Sequence, residues 1–185
     1  MKDFQPFFDA VLGLKTVDRA GWAAKAGVKN PESVADHTYS MCAIGMALSD
    51  IMGLDTGKVL RMIILHDLAE SVVGDYMPGE ITARKKVEQE KKAMKKILSC
   101  IPAKARKIHE KAWLEYLQNK TEEARFVHRI DKLEMALQAD RYRKERRAKN
   151  SLDQFFASAH RGVATDSDLL TEILKSLMPA KSRGK

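Results

Sequence analysis

Two of the five histidines in this 185-residue chain stand where an imidazole is out of place. His37 opens a largely apolar stretch, and His66-Asp67 interrupts the most apolar one, Ile63-Ile64-Leu65-His66-Asp67-Leu68-Ala69-Glu70. Asp131 is a third polar intrusion, in Phe126-Val127-His128-Arg129-Ile130-Asp131-Lys132-Leu133. Burying an imidazole, and still more a carboxylate, is costly unless the group is paired or bound to a metal. Two imidazoles and two carboxylates form a mixed nitrogen and oxygen set, which suits Mn, Fe, Co, Ni or Zn better than Ca or Mg. Four ligands carried by three helices leave positions open for water and substrate, as a catalytic site requires. The same residues have plainer readings: each histidine as a satisfied core residue, and Asp131 as a partner for Lys132 or Arg129.

The neighbours of the dipeptide point toward hydrolysis. Glu70 follows Asp67 by three residues and His66 by four, so on a continuous helix it shares their face. Asp75 stands just behind Gly74. A divalent ion lowers the pKa of a bound water to about 7 and makes it a nucleophile. A carboxylate beside it orients that water or passes a proton to the leaving oxygen. Glu70 and Asp75 are candidates for those roles, against the alternative of solvated helix surface. His109 and His128 could extend the site, His128 standing three residues before Asp131.

The elements that must position these residues read as helices. Residues 6–14 form a short one, and 15–30 read mostly as loop. Ser33-x-x-Asp36 is a capping-box-like start for a helix that runs to Met52, with Gly53 at its end. The next helix starts after Asp55 or Thr56, is apolar around most of its circumference, and runs to the break at Gly74 and Pro78. Further helices are expected over residues 80–99, 103–117, 121–149 and 166–178. Nothing alternates with period two, so no sheet is expected. The fold class is all-α, a helical bundle, in one domain over residues 1–185.

Composition agrees with that reading. Ten glycines and five prolines leave little punctuation. A chain of this size buries roughly 70% of its unfolded surface, enough for one core without staples. Cys42 and Cys100 lack a CxxC spacing and read as free thiols, which with the absence of a signal-like N-terminus places the chain in the cytoplasm. No apolar run reaches the roughly 18 residues of a membrane span. The net charge of +8 fits a protein that meets phosphates.

Taken together, His37, His66-Asp67 and Asp131 resemble the H…HD…D signature of the HD phosphohydrolases. The flanks are more specific. Pro31-Glu32-Ser33-Val34-Ala35-Asp36-His37, His66-Asp67-Leu68-Ala69-Glu70-Ser71-Val72-Val73-Gly74-Asp75 and Asp131-Lys132-Leu133-Glu134-Met135-Ala136-Leu137-Gln138-Ala139 resemble the YfbR-like branch, which includes the HD domain-containing protein 2 type. Trp113-Leu114-Glu115-Tyr116 and Thr121-Glu122-Glu123-Ala124 match it too, so that the likeness spans roughly residues 14–142. The resemblance implies a 5′-deoxynucleotidase supported by a divalent transition metal such as Co or Mn, with His37, His66, Asp67 and Asp131 as ligands and Glu70 and Asp75 as catalytic acids. It implies that Arg19 holds the phosphate, a guanidinium fork matching phosphate oxygens, and that Trp22 packs near the sugar and helps exclude a 2′-hydroxyl. In bacterial members these two residues are adjacent, whereas Ala20 and Gly21 separate them here. A homodimer is also implied.

Two rival functions are weighed against this one. Other HD enzymes act on guanosine tetraphosphate, cyclic dinucleotides or deoxynucleoside triphosphates, and this chain is short for their accessory domains. A nucleic-acid-binding protein would use the basic runs Arg141 to Lys149 and Arg84 to Lys96. Glu88, Glu90 and Glu145 interleave with those runs, and they read as solvated helix faces.

Overall fold

In the computed structural model, which describes residues 3–77, 79–164 and 168–177, the chain is all helical. Its elements are α1 (Gln5–Gly13), a 3-10 turn (Leu14–Thr16), α2 (Ala20–Ala26), α3 (Val34–Met52), α4 (Thr56–His66), α5 (Glu70–Val73), α6 (Ala83–Leu98), α7 (Ala103–Gln118), α8 (Glu122–Lys144), α9 (Asp153–Val163) and α10 (Leu169–Leu177). No strand occurs among the described residues; one isolated antiparallel bridge joins Asp18 to Ser33.

The capping box forms at Ser33. Its hydroxyl accepts the Asp36 N–H at 3.1 Å, and Asp36 Oδ2 accepts the Ser33 N–H at 3.0 Å. From there α3 runs to Gly53, whose φ of 71° needs a residue without Cβ. His37, Met41, Gly45 and Ser49 recur every four residues on the buried face of α3. A Cβ at Gly45 would lie 2.5 Å from Ile63 Cδ1, so the missing side chain lets α4 approach α3 closely. That approach brings the two histidine-bearing helices together. Helix α8 lies against both, burying Val127, Ile130, Leu133 and Ala136, while α9 and α10 cover its other side.

Four differences from the expected elements matter. The second apolar helix does not continue to Val73. The Ile63 carbonyl, which a continuing helix would offer to the Asp67 N–H, is taken by His66 Nδ1 at 2.5 Å. The Asp67 N–H turns to Leu65 O instead, and α4 stops at His66. Glu70 therefore belongs to the short α5 rather than to the histidine helix. Residues 15–30 are not mostly loop. Helix α2 forms there because tertiary partners hold it: Asp75 Oδ2 accepts the Ala20 N–H at 2.9 Å, and Gly27, at φ 64°, caps its end. Helix α9 was not anticipated; its stripe of Phe155, Phe156, Ala159 and Val163 packs on α8. Finally, α8 ends at Lys144, and the Lys149 and Asn150 N–H groups bond to Ala26 O, tying this segment to α2. The expected helix bounds Asp166 and Met178 and the basic tail from Lys181 to Lys185 lie outside the described residues.

The run from Arg141 to Lys149 is largely committed to the fold. Arg143 pairs with Asp140 and lies over the Phe156 ring, and Arg147 donates to Asn30 O at 2.6 Å while covering Tyr142. At the base of α10, Arg129 pairs with Asp168, whose Oδ1 also accepts the Thr171 N–H at 3.0 Å. Arg129 holds the Asp168 carboxyl well below the usual carboxylate range, with the Thr171 bonds adding to it against burial. A depressed folded-state pKa contributes stability above the unfolded value and loses it as pH falls toward the folded one. Asp168→Asn is therefore expected to lower Tm by roughly 2–4 °C at pH 7, an effect of about 1 kcal/mol after solvent screening. Thermal melts of both proteins should converge as pH falls below about 4.

Candidate metal centre and its cavity

The four expected ligands come from three helices and converge. His37 leaves α3 and His66 ends α4; Asp67 follows at the α4 terminus, and Asp131 projects from the middle of α8. His66 Nε2 lies 3.0 Å from Asp67 Oδ2, and His37 Nε2 lies 3.4 Å from Asp131 Oδ1 and 4.0 Å from Asp67 Oδ2. Both Nε2 atoms are buried, and neither has a hydrogen-bond partner among the described residues despite those nearby oxygens. Nitrogen and oxygen donors about 2.1 Å from one ion, at right angles, stand about 3 Å apart. The spacing thus fits ligands around a shared cation rather than donors aimed at acceptors. His37, His66 and Asp67 each bring one donor atom within 4.8 Å of the other two, as do Glu32, His37 and Glu134, and Asp131 adjoins the first group through His37.

The other ring nitrogens fix the orientation. His37 Nδ1 bonds to Glu134 Oε2 at 2.6 Å, and His66 Nδ1 donates to Ile63 O. Both arrangements present Nε2 to the site, in the manner of histidine ligands held from behind by a carboxylate or carbonyl. Burial and Arg19 oppose a charge on His37, yet Asp131 and Glu134 push its pKa up to about 9. Asp67 and Asp131 fall below the usual carboxylate range: burial opposes this, and the charge of His66 overcomes it for Asp67, the adjacent His37 imidazole for Asp131. The cluster therefore favours positive charge where the two Nε2 atoms face, and a divalent ion fits there in place of the proton. The sequence motif alone assigns Glu134 no role; its position three residues after Asp131, on one helix face, is the signal that points to it. Glu134→Gln keeps its shape and removes its charge. Divalent-metal affinity, measured by calorimetric titration, should fall by roughly 10-fold; unchanged affinity would leave Glu134 a packing role only.

Asp67 and Asp131 reach from this centre into a cavity of about 320 Å³, whose wall also carries Arg19, Trp22, Glu70 and Asp75. Asp131 divides its oxygens, Oδ1 toward His37 and Oδ2 accepting from Lys132 at 2.8 Å. Glu70 is 3% exposed; burial first, then the charges of Asp67 and Asp75, push its carboxyl up to about 9. Asp75 grips the Ala20 N–H and so fixes the start of α2 beside the site. Arg19 precedes that helix with its N–H on Glu32 O at 3.0 Å. Burial works against its charge, but Asp131, Asp67, Glu32 and Glu134 raise its pKa further. Trp22 lies three residues on, 1% exposed. It is stacked on Phe155 at 4.2 Å, edge-on to Tyr142, and donates Nε1–H to Glu32 Oε1 at 2.8 Å. Its ring thus forms the wall from behind and shares that wall with Phe155 of α9, a residue the sequence reading did not single out.

The remaining histidines serve elsewhere. His128 stacks on Tyr116 at 4.2 Å and bonds to its carbonyl at 3.0 Å, and Tyr116 in turn meets His66 edge-on. His109 lies in a separate pocket with Phe7, Leu60 and Ile64.

Residues 11–170 match the family model described as HD domain. The chain is 39% identical over 153 residues to the 5′-deoxynucleotidase HDDC2 of Dictyostelium discoideum, covering 78% of this chain and 80% of that protein. It is 37% identical over 153 residues to the Homo sapiens protein of the same name, covering 82% and 74%. Among solved structures it resembles the PH0347 protein from Pyrococcus horikoshii OT3, with a TM-score of 0.77, 30% identity and coverage of 92% and 96%.

Proposed function

The chain belongs to the HD-domain family, and from that premise we propose that it is a metal-dependent phosphomonoesterase that removes the 5′-phosphate from deoxyribonucleoside monophosphates. The observation that carries this reading is the pair of partnerless buried Nε2 atoms facing Asp67 and Asp131 at the base of an arginine-bearing cavity. When bound, a divalent ion supplies Lewis-acid chemistry, lowering the pKa of a water and withdrawing charge from a phosphoryl oxygen. Co or Mn suits the mixed donor set. His37, His66, Asp67 and Asp131 hold the ion. Arg19 takes the remaining phosphoryl oxygens and aligns phosphorus for in-line attack. Glu70, kept protonated by burial between Asp67 and Asp75, gives its proton to the departing 5′-oxygen. Asp75 holds the Arg19 segment in place and stands ready as the second acid. Trp22, backed by Phe155, closes the wall beside the sugar.

Charge supports a monophosphate over its rivals. Of the cations on the cavity wall, Lys86 is engaged by Glu70 and Glu90, which leaves Arg19, Lys25 and Lys132. These three equal in number the carboxylates of Asp67, Asp75 and Asp131, Glu70 being protonated. A bound divalent ion leaves two surplus positive charges, which match the dianion of a phosphate monoester. The cavity volume lies at the lower end of the roughly 300–1,000 Å³ range of small-molecule pockets, a fit for one nucleotide rather than a cyclic dinucleotide. A homodimer, implied by the family resemblance, is supported by Tyr39 and Met46, which stand seven residues apart on one face of α3 and are 76% and 48% exposed; sedimentation equilibrium reads it directly.

The test is phosphate release from dAMP, dGMP, dTMP and the matching ribonucleotides with Co, Mn, Mg and chelator in parallel. Release from the deoxy substrates, abolished by chelator, is the expected result. No release from any monophosphate, with metal still bound, would move the substrate to the polyphosphate or cyclic-nucleotide classes.

A further inference from the structure

Helix α6 is a charged surface helix with one lysine turned inward. Lys85, Lys91, Lys92, Lys95 and Lys96 are exposed, whereas Lys86 is half-buried and lines the cavity. Its Nζ lies 3.2 Å from Glu70 Oε1 and 3.5 Å from Glu90 Oε1. Glu70 is thereby divided: Oε1 accepts from Lys86, and Oε2 is buried without a hydrogen-bond partner among the described residues. A carboxylate held by one oxygen presents the other in a fixed direction. In the sequence Lys86 belongs to a basic run that reads as solvated face, and for this residue the structure overturns that reading.

From this geometry we infer that Lys86 is a positioning residue for the hydrolysis: it holds Glu70 by Oε1, so that Oε2 carries the proton handed to the departing 5′-oxygen, and it stabilises the carboxylate that this transfer leaves beside Asp67 and Asp75. The inference rests on the deoxynucleotidase reading and on Glu70 as the acid. In the step, a bond forms between phosphorus and the oxygen of the attacking water as the bond between phosphorus and the 5′-oxygen breaks. The 5′-oxygen takes the Glu70 proton and leaves as the nucleoside hydroxyl. One proton of the water stays on the phosphate, which departs as the monohydrogen dianion, and the other restores Glu70. Without Lys86 the new carboxylate would face two other carboxylates with no cation in contact, which raises the barrier to giving up the proton. Binding of substrate is unaffected in this scheme, because Lys86 acts through Glu70.

The experiment compares wild type, Lys86→Met and Lys86→Arg with Mn on two substrates: dTMP, and its analogue with sulfur in place of the bridging 5′-oxygen. A thiolate leaves without protonation, so that substrate needs no acid. On dTMP, Lys86→Met should lose roughly 10–100-fold in kcat, part of the range for a general acid, with KM within about twofold. Lys86→Arg should recover most of the loss. On the sulfur substrate, Lys86→Met should stay within about threefold of wild type. The ratio of the two rates within one preparation is independent of the fraction folded, so a partly misfolded variant still answers. Full turnover of dTMP by Lys86→Met, or equal losses on both substrates, would overturn the assignment and leave Lys86 a phosphate or packing contact. Failure of the wild type itself on dTMP would instead overturn the reading on which the inference rests.

Discussion

Asp67→Ala is expected to abolish both turnover and metal binding. Asp67 Oδ2 is the only carboxylate oxygen within 4.0 Å of both His37 Nε2 and His66 Nε2 among the described residues, so its removal takes away the donor that joins the two histidines. The ion supplies several kcal/mol of charge stabilisation in reactions of this type, which corresponds to roughly 10³-fold or more in kcat. A readout besides activity comes from linkage. An ion at about 100 times its Kd stabilises the folded state by about 2.7 kcal/mol. For a chain of this size that is a rise in Tm of roughly 5–10 °C. Wild type should show this rise on addition of Mn or Co, and Asp67→Ala should not. A variant that keeps the full thermal shift would mean that the ion sits elsewhere.

Glu70→Gln separates chemistry from metal binding. The amide keeps the shape of the side chain and can still accept from Lys86 through its oxygen, but it has no proton of suitable acidity to give. The expected loss in kcat is about 10²–10⁴-fold, with KM and the metal-induced rise in Tm unchanged. The pH profile gives a second signature. Burial and two neighbouring carboxylates push Glu70 up to about 9, and a cation at the histidine centre draws it down from there. The acid form is therefore lost as pH rises, and wild-type kcat should fall on an alkaline limb below about pH 9. The variant should lack that limb. Full activity in Glu70→Gln would transfer the role of acid to Asp75, the other carboxylate on the wall.

How much of this was legible in the sequence differs from residue to residue. The chemistry was: histidine and aspartate inside apolar helices are costly to bury alone, so their type and setting already argue for a cation. So was the start of α3, because a capping box uses only neighbours in sequence and forms as Ser33 and Asp36 require. The break after His66 was not, because it depends on where the imidazole points; the ring takes the carbonyl that the helix needed, and periodicity carries no trace of that. Helices α2 and α9 were missed for a related reason. The sequence of α2 is weakly periodic, and both helices are held by Asp75, Ala26 and the Trp22–Phe155 stack, contacts that span 55 or more residues in all three cases.

The sequence by itself thus determined the helical class, the family and the identities of the residues that could bind an ion and move a proton. Only the tertiary structure decided how those groups divide their atoms. It turned the Nε2 atoms of His37 and His66 toward one point, set Glu134 behind His37, and drew Lys86 out of a solvated run onto Glu70. The physical reason is range: propensity and capping act over a few neighbours, whereas side-chain direction in a packed interior is settled by residues that only the fold brings into contact.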